Sequence, residues 1–543
     1  MKKINTSLLL ALALLMGVQS CENPLKDVNI LVSSEILKYT AMFHVTDALG
    51  NPESDLTVAI HGRDAEYVYN LDGRKQFSIK DGLLGIGIHP QHEPTPDNPV
   101  VFQVELRGPG YVTQLVPVVI VANQFSMVNA VSVTNLEETP LGVSVYAPTV
   151  ELTGDATAEP IVLTTPTQNA STQNMQITLP TGTKFLDEDG NALSGSELKV
   201  SIMNADTDKP DALKVFPGGS LATSGVIPAG SSMAVSGTFN PAAVTTIEFL
   251  LNGQPVRHFS QPIQITQQLD PNFFNAATEA PVAAGDQLAV YSYTPSDGHW
   301  RYEQDVTVST LDGALVSIFE IDHLTSFMSG NFMEACVRPA VVQLDASWFS
   351  AGVSYPLTVE AVVAGKVVQQ LTLSANADNR TAQLNNIPTK GVRIRVVDDR
   401  GALLGDAPLN SVCGGTTAVA LTDPSTVADP TVTLQLYVRC PGQTEVITVL
   451  PTFYLYYQER GVDTDYKFLG VVNNGFISTK LLKVENAVYN FKAVWGDHVK
   501  IVGGHQVSAD NSGTVGIEPG DIIGEKAGAT NLAILTETCN EYL

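Results

Sequence analysis

From about residue 39 onward the chain alternates apolar and polar positions with a period of two. The pattern is plain in FHVTD (43–47), VVFQVELR (100–107), LTVEAVV (357–363) and YNFKAVW (489–495). A period of two puts successive side chains on opposite faces, as in a half-buried β-strand. Turn dipeptides punctuate these runs: Asp72-Gly73, Asp81-Gly82, Asp189-Gly190, Asn252-Gly253, Asp297-Gly298, Asp312-Gly313 and Asn474-Gly475. Such pairs fit tight hairpins and β-turns. No amphipathic helical pattern runs longer than about two turns. Evenly spaced short strands with these turns predict an all-β fold, a row of tandem immunoglobulin-like β-sandwich modules.

Composition supports that reading. The 543 residues carry a net charge of −26, but charged residues make up only 16%. Thr, Val, Ala, Gly and Pro are abundant, as in extracellular β-modules and unlike an acidic disordered chain. A protein this acidic is repelled by phosphate backbones, so nucleic acid is not an expected partner. The length predicts roughly three to five domains.

The first twenty residues, MKKINTSLLLALALLMGVQS, join a basic start to an apolar run from Leu8 to Val18. That run is too short to span a hydrocarbon core of about 30 Å and suits a signal peptide. Val18-Gln19-Ser20-Cys21 resembles the lipobox of bacterial lipoproteins, in which signal cleavage leaves the cysteine as an acylated amino terminus. The resemblance implies lipidation at Cys21, and two or more acyl chains anchor a protein stably to a membrane. Glu22 follows Cys21, not the Asp that in many Gram-negative bacteria retains lipoproteins at the inner membrane. The expected location is therefore the outer membrane, at its periplasmic face or at the cell surface.

Behind the signal (1–20) and a tether (21–38), the first module spans 39–135. Its Asp47, Gly50, Pro52 and Gly110-Tyr111 resemble carboxypeptidase-regulatory-like and related immunoglobulin-like modules. A Thr/Ala/Pro-rich stretch, 136–172, reads as a linker. The second module, 173–334, contains Leu179-Pro180-Thr181-Gly182-Thr183, Phe216-Pro217-Gly218-Gly219, Phe259-Ser260-Gln261-Pro262-Ile263, Gly285-Asp286 and Trp300. These landmarks resemble the β-sandwich domain shared by zonula occludens proteins and netrin receptors, which implies a role in protein contacts. Two further sandwiches are expected at 336–425 and 430–543. Four in line, each on the order of 40 Å, would reach well beyond the lipid headgroups.

Five cysteines are present. With Cys21 assigned to lipid, Cys336, Cys413, Cys440 and Cys539 form an even set that an oxidising compartment would pair. Three connectivities are possible; Cys336–Cys413 with Cys440–Cys539 would close one module each. No Cys-x-x-Cys pair occurs, which argues against metal binding and thiol redox catalysis.

One motif raises an enzymatic alternative. His323-Leu324-Thr325, within HLTSF, resembles the self-cleaving tripeptide of adhesion receptors, with Thr325 as nucleophile and His323 as base. That chemistry needs a base in reach, a strained peptide bond and oxyanion donors. Those receptors set the motif among flanking cysteines, and none lies between Glu22 and Ala335 here. His44-Val45-Thr46 and His258-Phe259-Ser260 share the H-x-[ST] spacing, which arises wherever two polar residues sit on one strand face.

Other candidates are weaker. His89-Pro90-Gln91-His92-Glu93 is barred from a zinc-binding helix by its prolines. Asp187 and Asp189, in DEDGN, and Asp463-Thr464-Asp465 are oxygen-rich like calcium loops but lack the twelve-residue spacing. GLLGIGI (82–88) has no helix start after it and so cradles no phosphate. In Phe453-Tyr454-Leu455-Tyr456-Tyr457, alternation places Tyr454 and Tyr456 on one face, where an exposed pair could stack on a sugar or anchor a protein. The sequence thus predicts a non-enzymatic, cofactor-free envelope lipoprotein that presents sandwiches for adhesion or for binding a surface protein or glycan. A self-cleaving protein and a glycan-binding accessory lipoprotein are the alternatives.

Overall fold

The computed structural model describes residues 30–33, 37–409 (apart from 112, 136, 137, 296, 297 and 337), 414–424, 431–436, 438–439, 447–450, 452–484, 486–495, 498–507, 521–522 and 525–526. The signal segment, Cys21, Cys413, Cys440 and Cys539 lie outside the described residues. Within them the fold is all-β, and the helical elements are three short 3-10 turns, the longest being Pro210–Val215.

In the first module Thr40–Asp47 pairs antiparallel with Leu83–Ile88 and parallel with Ser126–Val133. A second sheet joins Thr57–His61, Val100–Arg107 and Gln114–Ile120. The alternation in Val100–Arg107 buries Val100, Phe102, Val104 and Leu106 between the sheets. The turn dipeptides act as the sequence indicates. Asp81-Gly82, Asn252-Gly253, Asp312-Gly313 and Asn474-Gly475 all have positive φ at both residues, the geometry of a type I′ hairpin. Ala364-Gly365 adopts it too, with no Asn or Asp to signal it.

The second module begins earlier than its landmarks suggest. In place of a linker, Val143–Tyr146 and Thr149–Glu151 pair with Glu197–Ala205, and Ile161–Thr164 pairs with Met175–Leu179. These are short, Thr- and Pro-flanked edge strands, positions where breaks in the ladder are tolerated. The sandwich core holds Ile177, Phe185, Ile202, Phe249, Ile265 and Phe327.

Beside this sandwich lies a closed ring of five strands. Val235–Leu251 pairs with Ala222–Ile227, which pairs in parallel with His299–Thr307; that strand pairs with Gln287–Thr294, which pairs with Ser326–Glu334. Ser326–Glu334 then pairs back onto Val235–Leu251, so the ring has no free edge. Phe239 meets Trp300 and Tyr291 at ring-centroid distances of 5.1 and 5.2 Å, and Phe216 stacks on Trp300 at 5.0 Å. Val235–Leu251 is long enough to serve the ring with its first half and the sandwich with its second, changing register at Pro241.

The modules are welded together and do not extend as a row. Thr372, in the third-module strand Lys366–Ala375, pairs with Val128, so one ten-stranded sheet crosses from the third module into the first. A single apolar core runs through the first module, the five-stranded ring and the third module. The fourth module, whose sheet contains Lys467–Val472, Phe453–Glu459, Tyr489–Trp495 and His498–His505, folds back on the first. Met42, Leu83 and Val128 pack there against Tyr454, Tyr456, Phe468 and Val494. Even the expected tether contributes: Ile30–Ser33 pairs in parallel with Ile447–Leu450. A linear stalk would leave these second apolar faces in water, and burying them outweighs the entropy of extension.

The approach of backbones inside the ring gives a test. A Cβ at Gly330 would sit 2.3 Å from the carbonyl oxygen of Asn240 and 3.0 Å from Pro241 Cα, both main-chain atoms. Gly330→Ala should therefore lower stability by about 1–3 kcal/mol, the usual cost of overpacking, read as an earlier midpoint in denaturant unfolding.

Candidate functional site

His323 ends the strand Ala314–His323, and Ser326 starts the next one. Its ring is turned to carboxylates: Nε2 lies 3.5 Å from Glu303 and Nδ1 3.3 Å from Asp322. The Thr325 hydroxyl donates to the carbonyl of Tyr293, on the neighbouring strand. Its proton is thus directed at a main-chain acceptor and away from the imidazole. None of His323, Leu324 and Thr325 has a positive φ, and Leu324 is buried in the sandwich core. Directly across the sheet stands His258. Phe259 after it is core, and the Ser260 hydroxyl oxygen accepts from the Lys184 amide.

His44, the third histidine of this spacing, meets the predicted tyrosine pair. Tyr454 and Tyr456 do not form an exposed face; they are 2% and 0% exposed, at the seam between the first and fourth modules. The Tyr456 hydroxyl is 2.8 Å from His44 Nε2, and the Tyr454 hydroxyl 2.8 Å from Thr40 Oγ1. Alternation correctly separates Tyr454 and Tyr456 from Phe453, Leu455 and Tyr457, but both faces of this strand are covered. Beside the pair, Lys492 donates to Asp81 at 2.7 Å. Burial, reinforced by the nearby Lys492 ammonium, pushes the His44 pKa down to about 4. Burial likewise drives both tyrosine hydroxyls upward.

A second polar seam joins the third and fourth modules. The Tyr457 hydroxyl donates to Asp399 at 2.5 Å, and burial raises the pKa of that carboxyl. Arg400 reaches Glu459 at 3.6 Å and Asp463 at 3.7 Å, and Lys467 caps Asp463 at 2.7 Å. Asp463, expected as a loop residue, is thus a tie between modules. No sequence signal announced the ties of Asp399 and Arg400 to the fourth module, because their partners lie about sixty positions away along the chain.

Asp187 is occupied by its own turn. Its carboxylate accepts from the amides of Asp189 and Asn191 and from the Asn191 side chain, and these bonds hold its pKa below the usual range. Asp189 contributes its amide and no carboxylate contact to that turn. Asp47 in DALGN, Asn70 in NLDGR and Asp398 in DDRGA cap the same five-residue loop with two amides each. The motif is turn chemistry four times over. His92 stacks on Tyr67 at 3.8 Å and approaches Asp64 at 3.1 Å, while His89 accepts from the Gln91 amide. Among the described residues no group of three or more His, Cys, Asp or Glu is placed to hold a metal. Cys336 is disulfide-bonded.

A concavity runs between the five-stranded ring and the third module, with a volume of about 980 Å³. Its walls include Phe274, Tyr291, Phe332, Met333 and Ala364, and Phe274 is 42% exposed. Asn240, 1% exposed, lines it; its amide nitrogen donates to the Phe274 carbonyl at 2.9 Å. Its side-chain oxygen has no hydrogen-bond partner among the described residues. Glu279 and Lys390 form an ion pair of 3.6 Å at the mouth. The sequence pointed to none of these residues as a site, since they converge from widely separated segments of the chain.

No family model and no curated protein matches the chain. Among solved structures, a streptococcal ancillary pilin is similar at 9% identity, over 44% of this chain and 94% of its own, with a TM-score of 0.13. The Bacillus anthracis TIE protein matches at 11% identity over 67% of this chain and 56% of its own, TM-score 0.13. The major pilin subunit of Bacillus cereus matches at 8% identity over 70% and 98%, TM-score 0.11. At such scores these matches do not establish a shared arrangement of modules.

The His44 seam predicts a pH dependence. The folded-state pKa is depressed, so the unfolded chain binds the proton more readily. Stability from this group is complete above pH 6.5 and is lost as pH falls from there towards 4, by roughly 3 kcal/mol at most. His44→Gln, which keeps a hydrogen-bonding group beside Tyr456, should flatten the difference in stability between pH 7 and pH 5 seen in the parent protein.

Proposed function

We propose that this chain is a lipid-anchored, non-enzymatic cell-envelope protein whose welded β-modules hold a binding groove for a partner surface protein or ligand. The observation that carries the reading is the groove between the ring and the third module, with its apolar walls and the half-exposed ring of Phe274. Concave, mostly apolar surfaces with a few convergent polar groups are the usual form of binding sites. The anchor rests on Cys21 in its lipobox-like setting and on acyl chains in the outer membrane. Among the described residues no helix is long and apolar enough to cross a membrane.

Rigid attachment of the modules supports presentation of a surface, because a partner then meets one preformed shape and costs less ordering entropy on binding. The direction of the Thr325 hydroxyl supports the non-enzymatic reading over self-cleavage at Leu324–Thr325.

Three outcomes are expected. Cys21→Ser should move the protein from the membrane to the soluble fraction on cell fractionation. The denatured mature chain should have one intact mass; two fragments meeting at Leu324–Thr325 would establish the self-cleaving alternative instead. Phe274→Glu should reduce cross-linking to envelope partners at least about tenfold with unchanged thermal melting, and unchanged cross-linking would remove the groove from the proposal.

A further inference from the structure

The groove beside the ring lies where two of the ring's strands part. Gln287–Thr294 and Ser326–Glu334 are paired from Tyr293–Ser326 to Ala289–Gly330, and their ladder ends there. Ser326–Glu334 runs on to Glu334, still paired on its other side with Val235–Leu251. In an antiparallel ladder the main-chain groups of successive residues point to alternate sides. The Ala335 amide donates to the Ser236 carbonyl, and the Thr325 carbonyl accepts from the Ile247 amide. Odd-numbered residues of this strand therefore serve Val235–Leu251, and even-numbered ones face the opposite way. Of the even set, Ser326, Met328 and Gly330 are paired with Gln287–Thr294, and the Cys336 amide donates to the Ile387 carbonyl at 3.3 Å. Phe332 and Glu334 lie between these two stretches, where the strand borders the groove. By the same alternation Gln287, two residues before Ala289, turns its main chain towards Phe332 across the fork. The register holds no rung between them.

Such a fork suits an extended peptide, which adds as a short strand and takes affinity from main-chain hydrogen bonds. The side chains around it specify the peptide. Phe274, with 42% of its surface exposed, and the half-buried Met333 and Ala276 offer apolar surface to an incoming side chain. Four charged residues line the groove: Glu279, Asp305, Glu334 and Lys390. Lys390 is already paired with Glu279 at 3.6 Å. Among the described residues no ion pair engages Asp305 or Glu334. An acidic segment would meet two carboxylates and no free cation here, whereas a Lys or Arg would meet complementary charge. A smaller concavity of about 370 Å³, where the first, second and third modules meet, lacks this pattern. Its one charged lining residue, Lys214, is paired with Asp211 at 2.8 Å.

We propose that the groove takes an extended segment of a partner protein by strand addition at Gln287 and Phe332. A Lys or Arg of that segment is directed to the Asp305 and Glu334 carboxylates, and an apolar neighbour packs on Phe274. The inference rests on the groove reading above and names the chemistry of its partner.

The test is titration of the mature chain from Glu22 with end-blocked five-residue peptides. The basic probe is Thr-Val-Lys-Val-Thr, and Thr-Val-Glu-Val-Thr is its acidic counterpart. A third probe is the basic peptide N-methylated at alternate main-chain amides, which removes donors and keeps the charge. The basic peptide should bind saturably, and the acidic one at least about tenfold more weakly. N-methylation should cost about tenfold. Glu334→Gln combined with Asp305→Asn should weaken the basic peptide at least about fivefold with melting unchanged. Glu188→Gln, outside the groove, should bind as the parent does, which separates the site from attraction to the net charge of −26. Equal binding of basic and acidic peptides, no binding of either, or indifference to N-methylation overturns the proposal. So does a dimer that the double variant dissolves, since a second copy would then occupy the groove. If Phe274→Glu abolishes cross-linking to envelope partners while the peptides fail these tests, the groove reading stands and this partner is rejected.

Discussion

The constraint on which the structure depends is that several of its strands are apolar on both faces. In Thr40–Asp47, Phe43 and Val45 fill the first module's own core, while Met42 points the other way, beside Leu83 and Val128. A free-standing sandwich would leave that second face in water. The fourth module covers it with Tyr454, Tyr456, Phe468 and Val494, and the hydrophobic effect that folds each module also assembles them. The same logic joins the third module to the first, where one sheet continues through Thr372 and Val128.

Apolar burial alone would tolerate sliding at these seams. Orientation is set by the polar groups within them: Tyr454 with Thr40, Tyr456 with His44, Tyr457 with Asp399 and Lys492 with Asp81. Each buried group loses water on docking and is satisfied in one arrangement only, so a slipped seam would leave it unpaired. The aromatic hydroxyls that looked like a binding face are therefore fasteners, and the groups that would have met a ligand meet another part of the chain.

Concavities remain where the covering is incomplete. The groove beside Asn240 and the cavity around Gln124, Ser132 and Gln369 both lie at junctions, where curved sheets meet and do not fully close. Three modules contribute to the smaller one. Neither place carries a special motif: common amides, a serine and a phenylalanine are gathered there from distant segments.

Much of the local structure was legible in the chain. Alternation in VVFQVELR placed Phe102 and Val104 inside, and Asn252-Gly253 and Asp312-Gly313 formed the hairpins their backbone preferences demand. These features depend on neighbours a few residues apart, and the sequence by itself determined them. The weak edge strands at 143–164 were hidden because their pairing partners, not their own residues, make them strands. The seams were hidden for the same reason on a larger scale. Tyr456 and His44 are 412 positions apart, and period-two alternation says that a side chain faces outward from its own strand without saying what stands opposite. Only the tertiary structure decided that, because burial of a second face is a property of two surfaces and is written in neither alone.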